Sequence, residues 1–337
     1  MPERTVVVGA GGISNAWFPP LLKENVEVAC VVDLNLDAAR AQIEKFGLDA
    51  DATTDLAAAL RTARPHFVLD LTLPEAHCQV TCTALEAGCH VLGEKPMAST
   101  MDEARLMVET SERTGKLYMV SQTRRWEPHH EALRQAIAGR IAGDLTTLNC
   151  DFYLGAHFGG FRDQMPSPLL LDMAIHHFDL ARFFGGVEPA SVYTHQFNPK
   201  GSWYTGDVAA SCIFEMTDGV VFTYRGSWCS EGFPTSWNGD WRAIGERGTL
   251  LYEHDAPPRA QVVAGDTGFN RPLEDVAVPI PDVPAVTWHG ALGEMLAYLR
   301  TGKIPQTECH DNIKSLAMVH AAIESARTHA RLPINLP

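Results

Sequence analysis

Lys95 stands between a glutamate and a proline in Gly93-Glu94-Lys95-Pro96, directly after a short apolar run. A lysine in that setting is held in a rigid turn with its amine over a ligand crevice. Read alone, it is equally an ordinary surface lysine. Further along, Asp172, His176 and Asp179 recur at i, i+4 and i+7 within Leu171-Asp172-Met173-Ala174-Ile175-His176-His177-Phe178-Asp179. On a helix that spacing puts two carboxylates and an imidazole on one face, beside a core stripe of Leu171, Ile175, Phe178 and Leu180. Such a face suits a cleft between domains. An imidazole there can accept a proton, since its ordinary pKa is about 6.5. The same residues also suit a structural network, with Asp179 as a buried acceptor and His177 at the surface. No metal site is expected, because carboxylate, imidazole and carboxylate lack a fourth ligand.

A second constellation opens the chain. Gly9-Ala10-Gly11-Gly12-Ile13-Ser14 follows the apolar run Thr5–Val8 and precedes a helical stretch. Gly9 permits a tight turn, and Gly11 lets a backbone approach a pyrophosphate seated on the helix N-terminus. Ser14 keeps the third position small. Asp33 ends the next apolar run, in the place that binds both ribose hydroxyls of an adenosine. A carboxylate there repels a 2′-phosphate, so NAD is expected over NADP. A plain glycine turn with Asp33 as a helix cap would leave the same trace.

Elements that position these residues alternate along the first third. Runs at 5–8, 26–32, 67–71, 90–92 and 117–120 are continuous and apolar, as buried parallel strands are. Between them lie helical stretches at 14–23, 36–46, 74–87 and 100–114, the last with Thr100 and Glu103 in capping-box spacing. That order predicts a doubly wound parallel sheet with ligands at the strand C-termini. After residue 123 the pattern changes. Strands are expected at 145–154, 208–216, 220–227 and 248–252, and helices at 131–138, 169–184, 288–300 and 312–328. Thr217-Asp218-Gly219 reads as a hairpin turn. Residues 256–284 read as loop with one or two edge strands. Consecutive strands with helices set apart predict an α+β domain on a mostly antiparallel sheet. The expected domains are therefore 1–123 and 124–337.

The chain has 337 residues, 45% of them hydrophobic and 20% charged, enough for about two packed domains. A formal net charge of −14 argues against a nucleic-acid partner and against a polybasic membrane anchor. No apolar stretch approaches the roughly 20 residues that span a bilayer. The apolar run at the N-terminus ends in glycines and reads as a strand, not a leader, so a cytoplasmic location is expected. Eight scattered cysteines, none in C-x-x-C, read as reduced thiols.

Taken together, the Gly9–Ser14 turn, Asp33, the Thr72/Pro74/His77 loop, Glu94-Lys95-Pro96 and Asp172-x-x-x-His176-x-x-Asp179 resemble the Gfo/Idh/MocA family. This is the glucose–fructose oxidoreductase and inositol dehydrogenase group, and the resemblance runs along essentially the whole chain. It implies an N-terminal Rossmann domain and a C-terminal α+β domain with a large open sheet, typically a dimer or tetramer interface. It implies NAD(P)-linked hydride transfer to or from a sugar, polyol or related pyranoside. By position, Lys95, Asp172 and His176 match the proton-transfer and substrate group. Gly9, Gly11, Gly12, Ile13, Asp33, Thr72, Pro74, His77, Glu94 and Lys95 match the cofactor side. The chain departs from the pattern at Ser14, Ala174, Ser167-Pro168 and Gln122-Thr123-Arg124-Arg125. Arg124, Trp126, His157, Arg162 and Trp237 are candidate sugar contacts, since sugars favour aromatic faces beside hydroxyl-binding groups. Arg162 would also suit a substrate carboxylate. Two other functions share these features: a redox-neutral sugar enzyme that keeps its NAD, and a dinucleotide-sensing regulator. Retention of Lys95, Asp172 and His176 together favours the dehydrogenase.

Overall fold

The structure of the protein, a computed structural model, describes residues 2–336. The chain divides into two compact units. In the first, strands and helices alternate, with β3 and α3 additional to the expected elements: β1 (Arg4–Val8), α1 (Ser14–Lys23), β2 (Glu27–Val32), α2 (Leu36–Phe46), β3 (Asp51–Thr53), α3 (Leu56–Ala63), β4 (Phe67–Asp70), α4 (Pro74–Glu86), β5 (His90–Gly93), α5 (Met101–Thr114) and β6 (Tyr118–Val120). The sheet order is β3-β2-β1-β4-β5-β6, with every pair parallel. Chain direction across the sheet reverses between β1 and β4, so a crevice lies outside their carboxyl ends. The strands read as unbroken apolar runs because both faces are covered. Val6, Val7, Val31, Val68, Leu69, Val91 and Leu92 are all fully buried.

Local signals explain the helix ends. Thr100 and Glu103 form the reciprocal capping box, and α2 and α5 stop at Gly47 and Gly115 in left-handed backbone. β3 and α3 carry weaker signals. β3 is three residues at the sheet edge, with no fully buried side chain.

The second unit holds α6 (Pro128–Ala138), β7 (Leu145–Tyr153), α7 (Ile175–Gly185), β8 (Pro189–Phe197), β9 (Ala209–Met216), β10 (Val221–Ser227), β11 (Asp240–Gly245), β12 (Gly248–Tyr252), β13 (Arg259–Val263), β14 (Leu273–Val276) and β15 (Leu332–Pro333). These nine strands form one sheet in the order β14-β13-β12-β11-β7-β10-β9-β8-β15. Only β7 and β10 pair in parallel. The expected hairpin joins β9 to β10, with Asp218 and Gly219 at positive φ. Alternating burial along β9 and β10 gives the sheet one packed face. There Phe178 meets Phe214 edge-on at 4.8 Å and Phe184 meets Trp241 at 5.0 Å. The other face leaves Tyr193, Phe197, Ile213 and Val221 exposed.

Two expectations need correction. The stretch 124–337 is not one domain, because residues 284–316 pack with the first unit. Their helix α8 (Thr287–Thr301) lies against α1, and Arg300 grips Glu3 with two bonds of 2.7 and 2.9 Å. That guanidinium holds the Glu3 carboxyl down at about 2, the largest cause being the hydrogen bond itself. The Val120 amide donates to the Thr307 carbonyl, extending the bonding of β6. Second, residues 169–184 are not a single α-helix. Leu169–Ala174 winds as a π-turn before α7 begins.

The start of helix α9 (Cys309–Thr328) carries a pH-sensitive clasp. The His310 imidazole lies between Glu112 of α5 at 2.9 Å and Glu308 at 2.7 Å. Glu308 also caps the helix, accepting from the Asp311 and His310 amides. Carboxylate, thiol and imidazole of residues 308–310 fall within 4.8 Å of one another, and this capping role accounts for the grouping. The Glu112 and Glu308 bonds raise the His310 pKa above its ordinary value. A raised folded-state value means stability fully present below about pH 6.5 and lost as pH climbs through the folded value. The difference in melting temperature between wild type and His310→Ala, followed from pH 5 to 9, should therefore shrink as pH rises. A constant difference would show that the clasp does not titrate.

Candidate active site: a dinucleotide cradle and an acid–imidazole helix

The cradle begins with Gly9, at φ +99°. A Cβ on it would lie 2.7 Å from the Leu71 carbonyl carbon and oxygen, so the turn after β1 is pressed against the end of β4. Only glycine meets both demands. Gly11 and Gly12 differ: a Cβ on either meets no protein atom within 4 Å. Protein packing does not explain glycine there, whereas a ligand lying close along the backbone does. Ile13 is partly exposed at the same rim, and Ser14 is fully buried with its hydroxyl donating to the Gly11 carbonyl at 2.7 Å. Asp33 closes the cradle. One oxygen accepts from the Ala10 amide at 2.7 Å and the other from Asn35 at 2.8 Å. Its orientation is thus set by the glycine turn itself. Open space over two glycines, a helix N-terminus and a half-buried acid at the second strand fit a dinucleotide.

Two neighbouring loops are braced from within. Buried Asp70 accepts from the Thr72 hydroxyl at 2.6 Å, the Thr72 amide at 3.1 Å and the Thr81 hydroxyl at 3.1 Å. Pro74 then starts α4 at the position where proline suits a helix. His77 was expected to touch the cofactor. Instead it is 1% exposed, and its ring nitrogens lie 2.9 Å from the Pro96 carbonyl and 3.0 Å from the Thr72 carbonyl. It joins the two loops and positions them.

Glu94 is revised in the same way. It is buried, and its Oε1 accepts from the indoles of Trp17 at 2.8 Å and Trp288 at 3.3 Å. Its Oε2 accepts from the Lys95 amide at 3.1 Å. Burial pushes the Glu94 carboxyl up, against those hydrogen bonds and the Lys95 charge. Glu94 therefore anchors the backbone of Lys95, and Lys95 itself stays half-buried at the end of β5. Neither indole was visible as a partner in the sequence, since Trp288 lies 194 positions from Glu94.

In the second unit, Asp172 and His176 are half-buried across the junction of the π-turn and α7. Asp179 is committed to a basic partner. It is buried, and both its oxygens are held by Arg125 at 2.6 and 2.8 Å. The wider π-turn rotates Asp172 relative to the α-helix that follows, so one regular face for all three is lost. His177, which the structural-network alternative put at the surface, is fully buried. Its Nε2 faces Arg124 Nη1 at 3.2 Å, and its ring stacks on Tyr224 at 5.5 Å. Burial first, and Arg124 second, push its pKa well below the ordinary value. Burial also pulls Arg124 down to about 10. A neutral His177 thus accepts from Arg124 beside the acid–imidazole pair.

Remaining sugar-contact candidates separate into two groups. Trp126 is 6% exposed and packs in the interior, so it offers no open face. Trp237 is 46% exposed, 6.1 Å from Phe158 and 6.3 Å from Phe152. His157 stacks on Trp203 at 3.6 Å and bonds to Glu231 at 2.9 Å. Arg162 binds Asp172 at 2.6 Å. Phe158, Phe161 and Trp203 were not singled out, because phenylalanines near glycines and an isolated tryptophan carry no spacing signal.

Residues 3–122 match the oxidoreductase family with an NAD-binding Rossmann fold, and residues 130–251 match the GFO/IDH/MocA C-terminal domain. The chain is 29% identical to D-apiose dehydrogenase of Paraburkholderia graminis, over 90% of this chain and 82% of that protein. It is 28% identical to 1,5-anhydro-D-fructose reductase of Ensifer adhaerens, over 97% of each. In fold it is similar to an oxidoreductase from Agrobacterium radiobacter solved with NAD+, L-tartaric acid and magnesium, with TM-score 0.86 and 19% identity over 99% of both chains. Among the described residues, no helix is long and apolar enough to cross a membrane. With a glycine cradle closed by an acid, an anchored lysine at the fifth strand and an acid–imidazole helix in the following unit, the chain belongs to the Gfo/Idh/MocA oxidoreductases.

Proposed function

We propose that the protein is an NAD-dependent dehydrogenase of a carbohydrate-like substrate, a sugar, polyol or related pyranoside. The observation that carries the reading is Lys95, fixed through the buried Glu94 carboxylate at a strand end of the same sheet that bears the glycine cradle. NAD bound there supplies hydride transfer at its nicotinamide ring. The chain supplies the rest. His176 takes the alcohol proton as the carbonyl forms, Asp172 orients the reacting hydroxyl, and Lys95 polarises its oxygen or shares the proton. Arg124, His157 and the exposed face of Trp237 contribute sugar contacts, whereas Arg162 is engaged by Asp172. The D-apiose dehydrogenase and the 1,5-anhydro-D-fructose reductase among its relatives support the substrate class.

Absorbance of reduced nicotinamide, recorded with NAD+ and a panel of inositols, pyranoses, sugar acids and glycosides, tests the reading. Steady accumulation with one compound is expected. A rise that stops at one equivalent per chain would favour a redox-neutral enzyme with retained NAD instead.

Preference for NAD rests on Asp33. Its carboxylate occupies the ribose corner and repels a 2′-phosphate. Asp33→Ser should raise kcat/KM with NADP+ by about tenfold or more, the factor set by roughly 1.4 kcal/mol of relieved repulsion. An unchanged NADP+ rate would remove Asp33 from that role. Homodimers or homotetramers through the open sheet face belong to the same reading, supported by exposed Tyr193, Phe197, Ile213 and Val221. Light-scattering mass should give two or four chains. A cytoplasmic setting fits eight free thiols, five of them buried.

A further inference from the structure

One half-buried ion pair ties a glycine-containing loop to the π-turn that leads into the helix carrying His176. Arg162 Nε donates to Asp172 Oδ2 at 2.6 Å, with the two side chains 34% and 15% exposed. The guanidinium lies 5.0 Å from the Phe158 ring centre and 4.8 Å from that of Phe161. Phe161 is 60% exposed, while Phe158, 43% exposed, also meets the edge of Trp228 at 5.0 Å. Between Phe158 and Phe161, Gly159 and Gly160 both take φ +69°, the backbone reversal that lets two phenylalanines only three residues apart flank one planar group. Beyond Arg162 the chain is moored elsewhere. The Thr205 amide donates to the Asp163 carbonyl, and the Asp207 amide to the Pro166 carbonyl. Residues 157–162 are held instead through side chains: His157 by Trp203 and Glu231, Phe158 against Trp228 at 5.0 Å, and Arg162 by Asp172, the one tie among these that reaches the acid.

We propose that Arg162 is a positioning residue for the reaction: held against Phe158 and Phe161, it fixes the orientation of the Asp172 carboxylate. This rests on Asp172 orienting the substrate hydroxyl, as proposed above. The chemistry of the partner explains the choice of residue. A guanidinium has only donors, so it meets a carboxylate in a defined plane, and its flat face stacks on aromatic rings. An ammonium keeps the charge and loses both constraints. The carboxylate is thereby held in one orientation before substrate arrives, and the loop carrying Phe158 and Phe161 is held with it.

Steady-state kinetics and amide exchange together test this. Arg162→Ala should lower kcat/KM about 100-fold, the scale of an ångström misplacement of a reacting group, with kcat and KM each moving about tenfold. Arg162→Lys should recover less than about a tenth of that loss, since charge without the plane restores little. In a cycle with Asp172→Asn, the double variant should be no slower than Asp172→Asn alone, because Arg162 acts through that carboxylate. Kinetic losses that multiply would overturn the proposal. So would Arg162→Ala retaining kcat and KM within twofold. Exchange supplies a readout that needs no substrate: Arg162→Ala and Asp172→Asn should both speed exchange across 157–162. Unchanged exchange in both variants would also overturn it. Wild-type protein that reduces no nicotinamide with any panel compound would instead defeat the dehydrogenase reading, and the exchange result would still decide Arg162.

Discussion

Lys95→Ala and His176→Ala should each lower turnover by about 10²- to 10⁴-fold, the usual contribution of a positioned proton-transfer group. Binding of NADH should persist in both. The reason lies in where each residue is held. Lys95 is fixed through its backbone to Glu94, and the Glu94 anchor to Trp17 and Trp288 survives removal of the lysine side chain. His176 belongs to a helix of the second unit, and its loss leaves the Gly9–Ser14 turn and Asp33 untouched. Kinetics with the best panel substrate, paired with NADH titration by fluorescence, separate the two quantities. Wild-type turnover in either variant would remove that residue from the chemistry. Loss of NADH binding in Lys95→Ala would recast it as a cofactor-binding group.

Asp179→Ala should cost about 3–5 kcal/mol of stability, the range for stripping one partner from a buried ion pair. Arg125 and Asp179 side chains are only 5% and 2% exposed, and Arg182 lies 3.9 Å from the same carboxylate. Removing Asp179 leaves guanidinium charge in the interior without its main counterion. For a unit of this size, the melting temperature should fall by about 10 °C. The effect should reach activity through folding, because both Asp179 oxygens are committed to Arg125. Replacing both partners, Arg125→Met with Asp179→Leu, should recover much of the loss, since an apolar pair carries no desolvation cost. Thermal unfolding of the two variants measures this. A drop of a degree or two in Asp179→Ala would show that water reaches the pair.

Much of the first unit was legible because its signals are local. A buried parallel strand announces itself in about four consecutive residues, as Thr5–Val8 and Phe67–Asp70 do. Glycine in a turn, Thr100 with Glu103, and Asp33 after an apolar run all act over a few positions. Strands β3 and β11 escaped for the opposite reason: the first is short and half-covered, and the second begins straight after Gly239 with Asp240. The site was legible as residue types and opaque as contacts. Lys95, Asp172 and His176 could be picked out, but the sequence does not disclose that two indoles hold Glu94. Nor does it disclose that Asp179 belongs to Arg125. A regular 3.6-residue spacing was the basis for grouping Asp179 with Asp172, and a π-turn at Leu169–Ala174 breaks that regularity. Histidine neighbours mislead similarly: His176 and His177 differ by one position, yet one is half-buried and the other lies under Tyr224.

The first unit is built from two stretches of chain, 1–123 and 284–316, and that arrangement orders events during synthesis. A ribosome releases the β1–β6 strands long before Trp288 and Thr307 exist. Until those residues emerge, Glu94 has one indole instead of two, and the Val120 amide lacks its acceptor. The whole of 124–283 must be made in the interval. The nucleotide-binding half, begun first, is therefore completed late, and a nascent chain stalled near residue 283 should expose an unfinished sheet edge to chaperones and proteases.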